Sequence, residues 1–335
     1  MSASRRDFLK TSTLLGFGAT VPTFLAKTAR AADTASKDTI LVVVQLTGGN
    51  DGLNTVVPFA DAEYAKLRPT LKLPKDQLHK INDSFGLHPS MSGFNTLLQD
   101  NALCVVHGVG YPNPDQSHFR SMDIWNAGST AAELSEGWIG KALKGMKGAG
   151  SFHIAGDNES APLALTGAPA RVPSITSLAD FQLKTVAASG AEKKDQKALI
   201  ESASKPTGGN NLLDFVQRTA VNTYASSQRL QELAKNYEPK VTYPGTNLAN
   251  RLRLAAQLID AGIGARIFYV SIDGFDTHAN QAAPHANLLA DVSGAITAFY
   301  QDLAARGHKD RLLVMTFSEF GRRAHENGSK GTDHG

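Results

Sequence analysis

The sequence predicts an α/β domain, a doubly wound and mostly parallel sheet flanked by helices. Three observations carry that expectation. Short apolar runs rich in Val, Ile and Leu recur without strict alternation, the pattern of strands covered on both faces. Helical stretches with one apolar side lie between them. Each run leads directly into a loop of acidic, histidine and hydroxyl residues, and in open α/β sheets sites form beyond the carboxyl ends of the strands.

Four runs are expected to be strands: 40–46, 102–106, 265–272 and 311–317. After the first comes Thr47-Gly-Gly-Asn-Asp-Gly-Leu-Asn54. After the second comes a His107–Arg120 segment that holds Ser117 and His118. After the third comes Asp273-Gly-Phe-Asp-Thr-His278, and after the fourth Ser318-Glu-Phe-Gly-Arg-Arg323. Amphipathic helices are expected over 212–237, 247–261 and 283–305, and a shorter one from Ser117 to Trp125. Residues 180–211 are polar and rich in loop formers, as in Lys205-Pro-Thr-Gly-Gly-Asn-Asn211. They read as a surface excursion from one domain spanning 38–335.

The 335 residues carry a net charge of +3, unevenly placed. Residues 1–31 hold Arg5, Arg6, Lys10, Lys27 and Arg30 against Asp7 alone, a local +4, which leaves −1 for the rest. No basic footprint for nucleic acid remains. Ser4-Arg5-Arg6-Asp7-Phe8-Leu9-Lys10 reads as a twin-arginine export signal. A mildly apolar stretch and the small-residue site Ala29-Arg30-Ala31 follow it, so cleavage is expected after Ala31. The apolar stretch is too short and too weak to span a bilayer. The expected location is periplasmic or secreted, and the expected partner during export is the twin-arginine translocase. Cys104 is the only cysteine, expected as a small buried hydrophobe.

Asp276 and His278 are two apart, so on extended chain both face one side. Carboxylate plus imidazole suits zinc, manganese or iron better than calcium, although Asp-x-His also fits an ordinary loop; of two expected divalent ions, zinc or manganese is favoured, with calcium or magnesium as the alternative. Asp273 is an alternative carboxylate at the same place. Asp333 and His334 adjoin, bracketed by Gly331 and Gly335, which permit tight backbone near a ligand. Asp51 lies in a turn-like Asn-Asp-Gly. These carboxylates and histidines together point to a two-metal site, the kind that clamps the attacking and leaving oxygens of phosphate-like esters. The candidate nucleophile is Ser117, at a helix start that favours negative charge; Ser is equally suited to a plain N-cap there. His118, Arg120 and Arg322 are candidates to hold the anion, and Glu319 is a further polar candidate after the fourth strand.

The segments LTGGNDGLN, SHFRSMDIW, EGWIG, DGFDTHANQ, TFSEFGRR and GTDHG together resemble bacterial exported proteins of the domain of unknown function 1501 family. That resemblance implies an alkaline phosphatase and sulfatase-like fold, whose relatives hydrolyse phosphate or sulfate esters with two metal ions. By motif, Asp51, Asp333 and His334 would form one metal site. Asp276 or Asp273, with His278, would contribute to the second, and Ser117 would be the nucleophile. The ligand spacings depart from the superfamily's, and the chain stops before a further histidine that relatives supply, so a truncated C-terminus is expected. Cys104 is followed by Val-Val-His, which is not a formylglycine context. The resulting expectation is an exported metal-dependent hydrolase of phosphate-type (or sulfate-type) small-molecule or polymer esters. The alternative is a non-catalytic periplasmic binding or assembly protein on the same fold.

Overall fold

Ile40, Val42, Val44 and Leu46 pack to one side of the first strand and Val43 to the other. A strand can bury both faces in this way only at the centre of a layered α/β structure. The computed structural model describes residues 39–146, 150–157, 159–169, 172–178, 232 and 236–335. The expected signal segment, the 180–211 excursion and nearly all of the expected 212–237 helix lie outside these residues.

The strands, in chain order, are β1 (Ile40–Leu46), β2 (Val56–Val57), β3 (His79–Lys80), β4 (Gly86–Leu87), β5 (Gly150–Ile154), β6 (Ser174–Ile175), β7 (Ala265–Ile272) and β8 (Leu312–Phe317). The helices are α1 (Gly52–Thr55), α2 (Ala62–Leu67), α3 (Ser92–Gln99), α4 (His118–Ala127), α5 (Trp138–Gly145), α6 (Asn247–Asp260) and α7 (Ala282–Ala305). The main sheet runs β6-β5-β7-β1-β8 and every pairing in it is parallel. A small antiparallel sheet, β2-β4-β3, stands apart. One face of the main sheet packs Val42, Val44 and Phe268 against Leu252 and Ala255 of α6 and Leu289, Val292 and Phe299 of α7. The other packs Val43, Ile267 and Tyr269 against Ile139 and Leu143 of α5. Full burial of each large side chain here contributes about 1.5–3 kcal/mol. No helix among the described residues is long and apolar enough to cross a membrane.

Two expectations about the run 102–106 are corrected, its strand and the burial of Cys104. The run 102–106 is irregular. Ala102 and Leu103 lean on the core, but Val106 is 72% exposed and Cys104 is also exposed. A β-rich composition needs a neighbour to hydrogen-bond, and the place beside β7 is taken by β5. That strand is hard to read from the residues because Ser151 and His153 interrupt its apolar run, though both are buried. The order of the sheet positions the chemistry. β1 lies between β7 and β8, so the loops after all three meet at one edge.

Candidate metal centre

The loop after β7 is pressed against the loop after β1. Gly48 has φ of +117°, and a Cβ there would stand 2.4 Å from Asp276 N. The chain end is clamped beside them. Asn280 N and Gln281 N donate to the carbonyls of Ser329 and Lys330, and Thr332 N donates to Thr277 O. Arg322 and His334 form an antiparallel bridge. Gly331 allows this approach, since a Cβ there would lie 2.2 Å from the His278 carbonyl. Helix α4 docks from the other side. Asn126 Oδ1 accepts from Tyr269 OH at 3.1 Å, and Ser121 Oγ donates to Glu319 O.

Four side chains converge where these segments meet. Asp276 Oδ1 lies 2.9 Å from His278 Nε2 and 3.2 Å from His334 Nε2. Asp276 Oδ2 lies 3.5 Å from His118 Nε2. The ligand atoms of His118, Asp276 and His334 all fall within 4.8 Å of one another. Phe320 supports the rings from the buried side, with centroids 4.6 Å from His334 and 4.9 Å from His118. The carboxylate at the centre keeps 44% exposure, so the cluster faces solvent.

The partners of the outer nitrogens decide which nitrogen of each ring carries the hydrogen. His334 Nδ1 is 2.8 Å from Gln116 O, and a carbonyl only accepts, so that nitrogen carries the hydrogen. His118 Nδ1 faces Glu319 Oε1 at 2.9 Å, and His278 Nδ1 faces Asp333 Oδ1 at 3.4 Å. With the outer nitrogens as donors, neutral rings turn three Nε2 lone pairs toward one carboxylate. Like-signed atoms converge in this way where a cation belongs, whether a proton or a metal ion. Metal-bound histidines commonly give their second N–H to a carboxylate or carbonyl, as here. The donor types present fit a divalent transition metal, with His118, Asp276 and His334 mutually close and His278 beside Asp276 and His334.

Burial pushes the Asp276 carboxyl up, but the opposing pull, led by the hydrogen bond from Arg322, leaves it below the usual range. The Asp333 carboxyl is held low by hydrogen bonds from Asn327 and His278.

The other candidates are placed as follows. Asp51 is fully buried, and none of its hydrogen bonds goes to the cluster. Its Oδ2 takes Arg68 Nη1 and Gln281 Nε2, both at 2.5 Å, and its Oδ1 has no partner. Asp273 is exposed, and no contact joins it to the cluster. Asp333 stands in the outer ring, holding His278. Arg322 is buried, with its side chain 0% exposed. It donates to the carbonyls of Gly49, Thr332, Gly48 and Phe275 and to Asp276 Oδ1. Arg120 turns to the carbonyls of Ala131 and Ala132. Ser117 is exposed at the N-terminus of α4 and makes no side-chain cap. It lies between Gln116 and His118, both of which reach the cluster. The residue pattern alone assigns His118 to an anion, whereas its ring faces Asp276. The signal that could have shown its role was Glu319, an acid just past an apolar strand.

The fold and site define a parallel α/β domain with a histidine–carboxylate cluster at its carboxyl edge. Residues 38–335 match the family model described as protein of unknown function (DUF1501), and the chain belongs to that family. No curated protein and no solved structure matches it.

Proposed function

We propose that the protein is an exported metal-dependent hydrolase of phosphate-type esters, with sulfate-type esters as the neighbouring class. The observation that carries this reading is the convergence of three imidazole Nε2 atoms on Asp276, each ring tethered through its outer nitrogen. A zinc or manganese ion held by His118, Asp276, His278 and His334 would supply Lewis acidity to an ester oxygen. A further ion, expected from the resemblance to alkaline-phosphatase-like proteins, would need donors beyond this set.

Ser117 supplies the nucleophile in this reading. Its uncapped hydroxyl sits at a helix N-terminus, where the backbone dipole stabilises developing negative charge. Its oxygen attacks phosphorus, the bond to the ester alcohol breaks, and the serine proton goes to solvent or to the departing alkoxide. Water then hydrolyses the phosphoserine. Neither Arg120 nor Arg322 turns its guanidinium toward solvent at the site, so the N-terminus of α4 and the cluster itself meet the ester's charge.

The test is metal content by mass spectrometry on protein purified without chelators, alongside turnover of p-nitrophenyl phosphate. Stoichiometric metal, with turnover abolished in Ser117→Ala but metal retained, is the expected result. Metal-free wild-type protein sinks the reading. One observation favours the alternative of a non-catalytic binding or assembly protein. Arg322 already supplies Asp276 with a positive partner at 2.6 Å, so the cluster has a charge-balanced arrangement without metal.

A further inference from the structure

Resting on the metal-site reading, we propose that Glu319 is the positioning residue of the centre. It fixes His118 with its Nδ1 protonated and Nε2 toward Asp276, and its buried negative charge strengthens that nitrogen as a donor to a metal. Glu319 is the first polar residue of its loop after Ser318, and its side chain is 0% exposed against 33% for His118. Its Oε1 accepts from His118 Nδ1 at 2.9 Å and from Gly48 N at 2.8 Å. Ser318 Oγ lies 3.1 Å from Oε2. No lysine or arginine pairs with it among the described residues, so the hydrogen bonds from His118, Gly48 and Ser318 are what hold its charge in place. A buried carboxylate is costly without such bonds.

The three outer acceptors differ in kind. His334 has a neutral carbonyl, and His278 has Asp333, whose side chain is 47% exposed and therefore screened by water. Only His118 has a fully buried acid. The field of that acid reaches the ring through low-dielectric surroundings and is transmitted to Nε2. Glu319 also ties the centre to the loop after β1 through Gly48, so one side chain sets both the tautomer and the place of the imidazole.

Two readouts on the full chain test this separately from the hydrolase reading. The first is the ring tautomer of His118 in chelator-treated protein, from nitrogen-15 correlation spectra. Wild type is expected to show the Nδ1–H form, and Glu319→Ala to lose that preference. An Nε2–H form in wild type overturns the proposal, with or without metal. The second is cobalt(II) or zinc affinity of Glu319→Gln, which retains an acceptor for both His118 and Gly48. It should fall by about 10–100-fold, and Asp333→Asn should fall less. Equal affinity in Glu319→Gln and wild type leaves the residue merely structural and overturns the proposal. Failure of wild type to bind metal removes the hydrolase reading, while the tautomer result still decides what Glu319 does to His118.

Discussion

His278 Nε2 stands 3.0 Å from His334 Nε2, although 56 residues of chain separate them. Two ring nitrogens at that distance share at most one proton. The other nitrogen of His334 is already committed to Gln116 O. The pair is thus poised either to hold a proton between its members or to give both lone pairs to a metal.

Zinc should stabilise the wild-type protein. Binding to the folded state alone adds about 2.7 kcal/mol when free metal is a hundred times the Kd. His334→Ala removes one donor and frees the tail from Gln116, so its melting temperature should not respond to zinc. Thermal denaturation with and without added metal checks this. A zinc response of wild-type size in His334→Ala would place the ion elsewhere.

Arg68→Leu should destabilise the fold by about 3–5 kcal/mol, because it leaves the Asp51 carboxylate buried without its cation. Both side chains are 0% exposed. Urea unfolding measures the loss. Adding Asp51→Asn to the same variant removes the stranded charge and should recover part of it. A loss under about 1 kcal/mol would mean that water or another cation reaches Asp51.

Stability should decline in mild acid. Burial pushes the imidazoles of His88 and His285 down to about 4, against about 6.5 when unfolded. Between those values the unfolded chain binds more protons, so stability rises with pH there. The contribution is fully present above about 6.5 and is lost as pH falls toward 4, by up to about 3 kcal/mol for each fully neutral ring. Unfolding free energies at pH 7 and pH 5 should show the drop. His285→Gln should flatten it, and an unchanged slope in that variant would rule out this source.

Gly48→Ala should cost about 1–3 kcal/mol and weaken metal uptake together. The φ of +117° and the 2.4 Å approach to Asp276 N force the backbone under the central carboxylate to move. Gly52→Ala is the control, since a methyl group added there meets nothing within 4 Å. Equal stability of the two variants would show that the loop yields freely.

Much of the frame was legible in the residues. Strands β1, β7 and β8 and helices α6 and α7 fall where the apolar patterns put them, because residue type and spacing are local signals; β1 and β7 are buried as expected, whereas β8 lies at the sheet edge and is only half covered. The loops after those strands carry the right chemistry for the same reason: a parallel strand must end somewhere, and its next residues are read directly. By contrast, β5 was hidden, since Ser151 and His153 owe their burial to neighbours rather than to hydrophobicity.

The sequence by itself determined that Asp276, His278, Asp333 and His334 belong to strand-end loops of one α/β sheet. Only the tertiary structure decided their roles. It put Asp276 at the centre and left Asp273 in solvent. It gave Asp51 to Arg68, set Asp333 behind His278, and turned His118 inward on Glu319. The physical reason is that a side chain's protonation, charge balance and direction come from its partners. Here those partners lie far along the chain, as with the separation of 201 positions from His118 to Glu319, and no local pattern records which of them will meet.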